Sequence, residues 1–370
     1  MMTTAIHPLS VPQMMSLAEI TIDMIPDFKS IEQPFSNTIN IENTSYLYFG
    51  GTAYLGIPQN QDFIDLYIEG IKKFGLNNGT SRTNNIQLGI YNDAEKIAAA
   101  RFGAEKALIT SSGYLAAQLT VKSLSTLGTV IYAPAAHPAL WLNDQPTTHQ
   151  TFNEWKKETI KLINASEEKN WVLISNSMNN LFPEIYDFNF LTDIHPEKKI
   201  ILIVDDSHGI GINNNGRGAW IKLPAKSNIE RIVVASMAKA LGVDAGLVLG
   251  SNALITKLKS SNIFIGASPP SAAGLFAFTK AEKIYQRAWT KLQENVKLLT
   301  ADLSEKWAFE PAFPAFLTLD SSLAERLLSE KILISSFPYP KPESKPINRI
   351  VLSSWHEKED IETLLAAINF

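Results

Sequence analysis

Two residues near the middle of the chain, Asp205 and Lys239, have side chains that could do chemistry together. The apolar run 200–204 ends at Asp205, and the apolar run 232–235 ends shortly before Lys239. Such runs are typical of strands that are buried on both faces of a parallel sheet. Because ligands of open α/β sheets bind at the carboxyl ends of the strands, the sequence predicts that the acid and the amine face one pocket.

An amine and a carboxylate in one pocket suit the chemistry of pyridoxal 5'-phosphate. The lysine holds the aldehyde of this cofactor as a Schiff base and moves protons, while the acid keeps the pyridine nitrogen protonated, so that the ring withdraws electrons. An acid beside a cationic nitrogen stays ionised. Taken singly, Asp205 could cap a turn and Lys239 could be an exposed surface lysine, but the two together favour a cofactor site.

A helix start elsewhere in the chain adds further candidates at the same edge. A predicted strand leads into residues 111–114, with the sequence SSGY, and these open a helix. The N-terminus of a helix presents free N–H groups and the positive end of the helix dipole, which suit an anion. We therefore predict that Ser112, Gly113 and Tyr114 bind the cofactor phosphate, although a Ser-Ser-Gly turn alone is more often a plain helix cap.

The composition is typical of a globular protein. The 370 residues are 45% hydrophobic and 19% charged, and the formal net charge of -4 gives no reason to expect nucleic acid or an anionic membrane as a partner. The absence of cysteine excludes disulfides, thiolate nucleophiles and cysteine-ligated metals, and no metal site is expected. Residues 1–26 do not resemble a signal peptide and no apolar run is long enough to span a membrane, so we expect a cytoplasmic protein.

Two motifs around the proposed pocket carry a family resemblance. Residues 204–209 (VDDSHG), with Gly211 and residues 216–218 (GRG) downstream, resemble the VD(D/E)AHxxGxxGxxGRG signature of the α-oxoamine synthases. These are fold-type-I pyridoxal phosphate enzymes that include 8-amino-7-oxononanoate synthase. Residues 236–239 (SMAK) resemble the T/S-x-x-K segment of the family, which ends on the Schiff-base lysine. Ser236, at the start of this segment, is therefore counted with the cofactor-binding residues.

The resemblance implies an α/β fold of the fold-type-I transferase kind. Its large domain has a mainly parallel sheet flanked by helices, and a smaller α+β domain follows at the C-terminal end. We expect an N-terminal arm over residues 1–45, the cofactor-binding large domain over 46–275 and the small domain over 276–370. A long helix is predicted over 276–299, at the start of the small domain.

The resemblance also implies roles for single residues. His137 stands where the family has the histidine that stacks over the pyridine ring. Ser177, in a segment similar to S-M-D-G, could bond the ring hydroxyl or orient the cofactor, and His208 is the candidate for contact with the phenolic oxygen. Arg349 lies in a segment similar to R-(L/I)-x-L-(T/S)-x-x-H, and because a guanidinium binds a carboxylate in a two-pronged manner, it is the candidate for the amino-acid carboxylate.

Some positions depart from the family pattern. Ala53 replaces the asparagine of the N-Y-L-G loop, and Leu173 stands where the family commonly has glutamate. In the turn that resembles S-T-S-x-P-P, Gly266 and Ala267 replace hydroxyl residues and leave Ser268, one position displaced, to reach a partner subunit. These departures affect contacts to substrates and across a dimer more than contacts to the cofactor.

The sequence therefore predicts a pyridoxal phosphate-dependent transferase that acts on an amino acid. The resemblance implies decarboxylative condensation with an acyl-CoA in a homodimer with shared active sites, to which the loops 77–82 and 266–270 contribute. An aminotransferase or another pyridoxal phosphate-dependent lyase on the same fold is the alternative, and a non-catalytic paralogue that binds the cofactor is a third. The sequence identifies neither the amino acid nor the acyl donor.

Overall fold

A computed structural model describes residues 28–146, 148, 151–179, 181–338 and 343–369. Most of the predicted N-terminal arm, residues 1–27, lies outside the described residues. The part from Gln33 onward forms one compact unit that contains two six-stranded sheets and a short two-stranded one.

The strands are β1 (Thr38–Ile41), β2 (Thr44–Phe49), β3 (Lys106–Thr110), β4 (Thr129–Tyr132), β5 (Asn170–Asn176), β6 (Met178–Asn179), β7 (Glu184–Ile185), β8 (Lys199–Asp205), β9 (Ile229–Ser236), β10 (Gly246–Gly250), β11 (Ala308–Phe309), β12 (Ala315–Thr318), β13 (Ile332–Pro338) and β14 (Pro346–Val351). The helices are α1 (Gln61–Phe74), α2 (Ile90–Phe102), α3 (Gly113–Leu124), α4 (Phe152–Ala165), α5 (Asn252–Lys259), α6 (Asn262–Gly266), α7 (Ala272–Lys280), α8 (Glu282–Ala301), α9 (Leu323–Ser329) and α10 (Lys358–Ile368).

The large sheet has the strand order β3-β10-β9-β8-β5-β4. Strands β4, β5, β8 and β9 are parallel neighbours, whereas β10 runs antiparallel to both β9 and β3. Alternate residues of β8 enter different cores: Leu202 and Val204 pack in a cluster with α2, α7 and α8, and Ile203 packs in a second cluster with α3 and α5. This burial on both faces explains the continuous apolar run, and it confirms the predicted parallel sheet flanked by helices.

The small sheet has the order β1-β2-β13-β14-β12-β11 and draws on both ends of the chain. Its β2 pairs in parallel with β13, so the strand predicted at residues 46–49 belongs to this sheet. Phe49, the last residue of β2, helps to hold this strand in the small sheet, because its buried ring stacks on His356, with 4.4 Å between ring centres. The long helix predicted over 276–299 is two helices, α7 and α8, because Ala281 leaves helical geometry at φ -88° and ψ 13°.

Within the ranges given above, no helix is both long and apolar enough to cross a membrane. The same residues contain no group of three or more His, Cys, Asp or Glu side chains arranged to hold a metal ion.

Candidate active site

The loops that follow β4, β5, β8 and β9 meet at the carboxyl edge of the large sheet. A small cleft opens there, lined by His137, Asn176, Ser177, Met178, Asp205, Ser207, His208 and Lys239. The structure thus brings together five residues that the sequence analysis singled out for this pocket, namely His137, Ser177, Asp205, His208 and Lys239.

Asp205 is the last residue of β8 and is 9% exposed. Its Oδ1 accepts a hydrogen bond of 2.8 Å from the backbone N–H of Ser207. The backbone oxygen of Asp205 accepts a second bond, of 2.7 Å, from the N–H of Ser177. Asp205 therefore does stabilise a turn, as the simpler interpretation expected, and the same turn fixes the carboxylate in the cleft.

Lys239, His208 and Tyr54 form a series of side-chain contacts in the interior of the site. Nζ of Lys239 lies 3.0 Å from Nε2 of His208, and Nδ1 of His208 lies 2.7 Å from the hydroxyl of Tyr54. Lys239 is partly buried against the cleft, so the alternative of an exposed surface lysine is wrong. No role was predicted for Tyr54 from the sequence, although its position in the N-Y-L-G-like loop could have suggested a role in the site.

Burial largely determines the charges of Lys239 and His208. Burial lowers the pKa of the Lys239 amine; the charge of Asp205 raises this pKa, and the charge of Arg349 lowers it. Burial also lowers the pKa of His208 well below its usual value, and the charges of Lys239, Arg349 and His137 act in the same direction. The imidazole of His208 is therefore neutral, and the amine loses its proton more easily than a surface lysine does.

Asn176 fixes the loop that carries His137. Its Oδ1 accepts a bond of 3.0 Å from the backbone N–H of His137, and its Nδ2 donates one of 2.6 Å to the backbone oxygen of Ala135. Ala135 has a φ of 54°, which is uncommon for a residue with a side chain, and the clamp holds it there. Sequence reasoning missed Asn176, although a polar residue at the end of a buried strand was the very signal that identified Asp205.

The orientation of the His137 ring follows from the same loop. Its Nδ1 accepts a bond of 3.2 Å from the N–H of Ala139 and so caps a short helical turn. Burial lowers the pKa of His137, Asp205 raises it, and Lys239 lowers it.

The predicted phosphate site is the N-terminus of α3. Oγ of Ser112 accepts a bond of 3.1 Å from the N–H of Leu115, so Ser112 is the helix cap. A Cβ on Gly113 would stand 2.6 Å from Cβ of Ser236, so only glycine lets the first turn of α3 approach the end of β9 this closely. The Tyr114 side chain is 64% exposed and does not line the cleft, which leaves its backbone as the part nearest the predicted phosphate.

Arg349 is not among the residues that line the cleft, but its charge acts on the site from the small sheet. It lies on β14, opposite Leu317 of β12 and Ser335 of β13, and its guanidinium is 6.0 Å from the ring centre of Phe337. Its charge lowers the pKa values of both Lys239 and His208, so it acts on the same pocket.

The segment after β14 ties the small sheet to the Tyr54 loop. Oγ of Ser353 donates a bond of 2.6 Å to the backbone oxygen of Ala53, and the N–H of Ser354 donates one of 3.0 Å to that of Tyr54. His356 is buried, and its Nε2 lies 2.9 Å from the backbone oxygen of Tyr48. Arg349 and Tyr54 are therefore held in one connected piece of structure.

The positions that depart from the family pattern lie in different places. Leu173 is fully buried inside β5, between Ile131 and Leu202 of the neighbouring strands, and does not line the cleft. Ser268 is exposed. Asn179 and Asn180 stand at the D-G positions of the segment similar to S-M-D-G; Asn179 accepts bonds from the N–H groups of the next turn, and Asn180 lies outside the described residues.

A second acid, Asp206, is buried behind the cleft. Its Oδ2 accepts a bond of 2.7 Å from the N–H of Ala219. Its Oδ1, like Oδ1 of Asn213, is buried and has no hydrogen-bond partner within the described residues. Burial raises the pKa of Asp206 to about 7, against the lowering effects of Ser177 and Ala219. A proton on this carboxyl would give the buried acceptors around it a donor.

Asp206 makes stability depend on pH in a defined direction. Its pKa rises from 3.8 in an unfolded chain to about 7 in the folded protein, so the folded state holds the proton more tightly. The contribution of Asp206 to the free energy of unfolding should therefore be largest below pH 4, fall by about 4 kcal/mol as the pH rises to about 7, and stay level above. In the Asp206→Asn variant this slope should be lost, as urea unfolding between pH 4 and 8 can show. An unchanged slope would contradict the assignment.

The residues around the cleft fit a bound pyridoxal phosphate. Lys239 offers an amine of lowered pKa, Asp205 offers a carboxylate for the ring nitrogen, and Ser177 offers a buried hydroxyl that lines the cleft. The start of α3 comes so close to the end of β9 that its N–H groups border the same edge of the sheet.

Comparison with known proteins agrees with this geometry. A putative 8-amino-7-oxononanoate synthase of Methanococcus aeolicus is 28% identical over 344 residues, which covers 88% of this chain and 90% of the relative. The 8-amino-7-oxononanoate synthase of Thermosipho melanesiensis is 24% identical over 358 residues, with 91% of each chain covered. These relatives confirm the predicted resemblance to the α-oxoamine synthases.

Solved structures share the fold. Serine palmitoyltransferase from S. paucimobilis with bound PLP-myriocin has a TM-score of 0.76 at 17% identity, over 91% of this chain and 90% of the other. The 8-amino-7-oxononanoate synthase of Francisella tularensis has a TM-score of 0.65 at 20% identity, over 87% and 96%. They confirm the predicted fold-type-I α/β fold. Residues 55–368, from the Tyr54 loop to the end of α10, match one family profile, and the chain belongs to the aminotransferase class I and II family.

Proposed function

We propose that this protein is a pyridoxal phosphate-dependent transferase that condenses an amino acid with an acyl thioester and releases carbon dioxide. The observation that carries the proposal is the convergence of Lys239 and Asp205 in one cleft on which the charge of Arg349 also acts. Bound pyridoxal phosphate supplies an aldehyde that condenses with amines and a pyridine ring that withdraws electrons. The chain supplies the groups that hold it and that move protons.

Each residue then has a task. Lys239 presents its amine to the aldehyde and later takes or returns the proton at the Cα of the substrate, a step that its lowered pKa assists. Asp205 holds a proton at the ring nitrogen through its negative charge. Arg349 binds the substrate carboxylate from the small sheet and so orients the bond that is to break.

The remaining residues position the cofactor. His137 would cover one face of the ring, with its loop fixed by Asn176. His208 and Ser177 are the candidates for the phenolic oxygen, and Ser112, Gly113, the backbone of Tyr114 and Ser236 border the phosphate. Condensation is preferred to transamination because the relatives named above are synthases. Transamination is kept as the alternative because the family is named for aminotransferases.

One assay separates the candidate functions. The purified protein, saturated with pyridoxal phosphate, is given single amino acids with and without an acyl-CoA. We expect free CoA and carbon dioxide in equal molar amounts, and only when both substrates are present. A keto acid formed without CoA would instead identify an aminotransferase, and no product from any pair, at full cofactor occupancy, would favour a non-catalytic paralogue.

We further propose a cytoplasmic homodimer with shared active sites. Large apolar side chains are exposed next to the two loops predicted to meet a partner subunit, 77–82 and 266–270: Leu76 and Ile86 flank the first and are 78% and 75% exposed, and Ile265 precedes the second. Ser268 is exposed beside Ile265 and is available to a partner. The large domain would span residues 46–275 and the small domain 276–370, while β1 from the predicted arm and β2 at the start of the large domain pair within the small sheet.

A further inference from the structure

The hydroxyl of Tyr54 has a single hydrogen-bond partner among the described residues, Nδ1 of His208 at 2.7 Å. Tyr54 is 1% exposed, so its hydroxyl does not face bulk solvent. Burial also raises the pKa of Tyr54 well above its usual value, which means that the phenol keeps its proton. A buried O–H group without an acceptor costs free energy, so the Tyr54 hydroxyl donates to Nδ1.

This bond decides where His208 carries its own proton. A neutral imidazole has one N–H and one acceptor nitrogen. If Nδ1 accepts from Tyr54, the proton is on Nε2, and Nε2–H points at Nζ of Lys239, which is 3.0 Å away. An ammonium group has no lone pair to accept a bond, whereas a neutral amine has one.

We propose that Tyr54 is a positioning residue that fixes His208 in its Nε2–H form and thereby holds Lys239 as a neutral, nucleophilic amine. The arrangement deepens the proposed function, since it concerns the lysine to which that function assigns the cofactor. Tyr54 acts through His208 and touches no reacting atom itself.

Other charged and titratable groups face the Lys239 amine and influence its pKa independently of Tyr54. Asp205, from β8, favours the ammonium form, whereas Arg349, from β14, disfavours it. His137 also faces Lys239, from the loop after β4. These groups are unchanged when only the Tyr54 hydroxyl is removed, so a shift in the Tyr54→Phe variant would report on the hydroxyl alone.

The backbone around Tyr54 adds a link to substrate binding. Its carbonyl accepts the N–H of Ser354, a few residues beyond Arg349 on the same segment. The backbone of Tyr54 is therefore tied to the segment that carries Arg349.

The test uses the full-length protein freed of cofactor, so that it does not depend on which reaction the enzyme catalyses. Acetic anhydride labels unprotonated amines, and mass spectrometry of the Lys239 peptide at a series of pH values gives the pKa of this amine. In Tyr54→Phe we expect that pKa to rise by about one unit, the equivalent of one hydrogen bond, with labelling about tenfold slower at neutral pH. The matched control is Tyr67→Phe, which removes a hydroxyl bonded to Ser271 between α1 and α7 and should leave the pKa unchanged.

The tautomer provides a second, independent readout. Nitrogen NMR of protein labelled at histidine, with His208 assigned by its loss in His208→Gln, should show the proton of His208 on Nε2. A proton on Nδ1 in the unmodified protein would overturn the proposal, as would a Lys239 pKa that is the same in Tyr54→Phe and in the unmodified protein. Failure of the proposed condensation reaction would affect neither readout.

Discussion

Replacing Lys239 by alanine should reduce turnover by about 10⁴-fold or more, because one side chain supplies both the amine for the aldehyde and the general base. The variant should remain folded, since within the described residues the hydrogen bond of the amine goes to Nε2 of His208, and its removal leaves a neutral imidazole. The measurement is the rate of CoA release, with circular dichroism as the check on folding.

The matched control for this prediction is Lys257→Ala. Lys257 is an exposed lysine in the last turn of α5, so the change removes an amine without touching the cleft. Turnover should stay within about twofold of the unmodified protein, as is usual for surface substitutions. A Lys239→Ala protein that kept most of its activity would show that the catalytic amine lies elsewhere.

Replacing Asp205 by asparagine should lower turnover by about 10²–10³-fold, the usual cost of losing one charged group that stabilises a transition state. Asparagine keeps an oxygen for the N–H of Ser207, so the turn at the end of β8 should survive. What it loses is the negative charge that holds a proton on the ring nitrogen. The rate of CoA release and the visible absorbance of the bound cofactor measure the two effects.

Asp244→Asn is the control for the charge change. Asp244 is exposed and follows Lys239 by five residues, so the control alters charge near the lysine without entering the cleft. Equal losses in Asp205→Asn and Asp244→Asn would mean that general electrostatics, and not contact with the ring, explains the effect.

The large sheet and the core of the site could be predicted because their signals are local. Continuous apolar runs identify β8 and β9, and the residues that end or follow these runs must lie at the carboxyl edge. Family motifs then add His137 and Ser177, and both line the cleft.

The contacts that the sequence analysis missed join distant parts of the chain. Tyr54 and His208 are 154 positions apart, and no periodic pattern links them. Asn176 clamps the His137 loop across 39 positions. The pairing of β2 with β13 likewise joins the two ends of the chain, which strand signals alone do not reveal.

Tyr114 and Leu173 show that a motif position does not specify where a side chain lies. The ring of Tyr114 is exposed, so the prediction that this residue borders the phosphate concerns its backbone N–H. Leu173 stands where the family commonly has an acid, and here that position is inside the core, where an unpaired acid would be costly.

The central claim is that the amine of Lys239 carries the cofactor. Sodium borohydride reduction of the cofactor-loaded protein, followed by peptide mapping with mass spectrometry, tests it most directly. We expect one added pyridoxyl group per chain, on the peptide that contains Lys239, and none after the Lys239→Ala change. A pyridoxyl group on any other lysine, or its absence from protein saturated with pyridoxal phosphate, would contradict the claim.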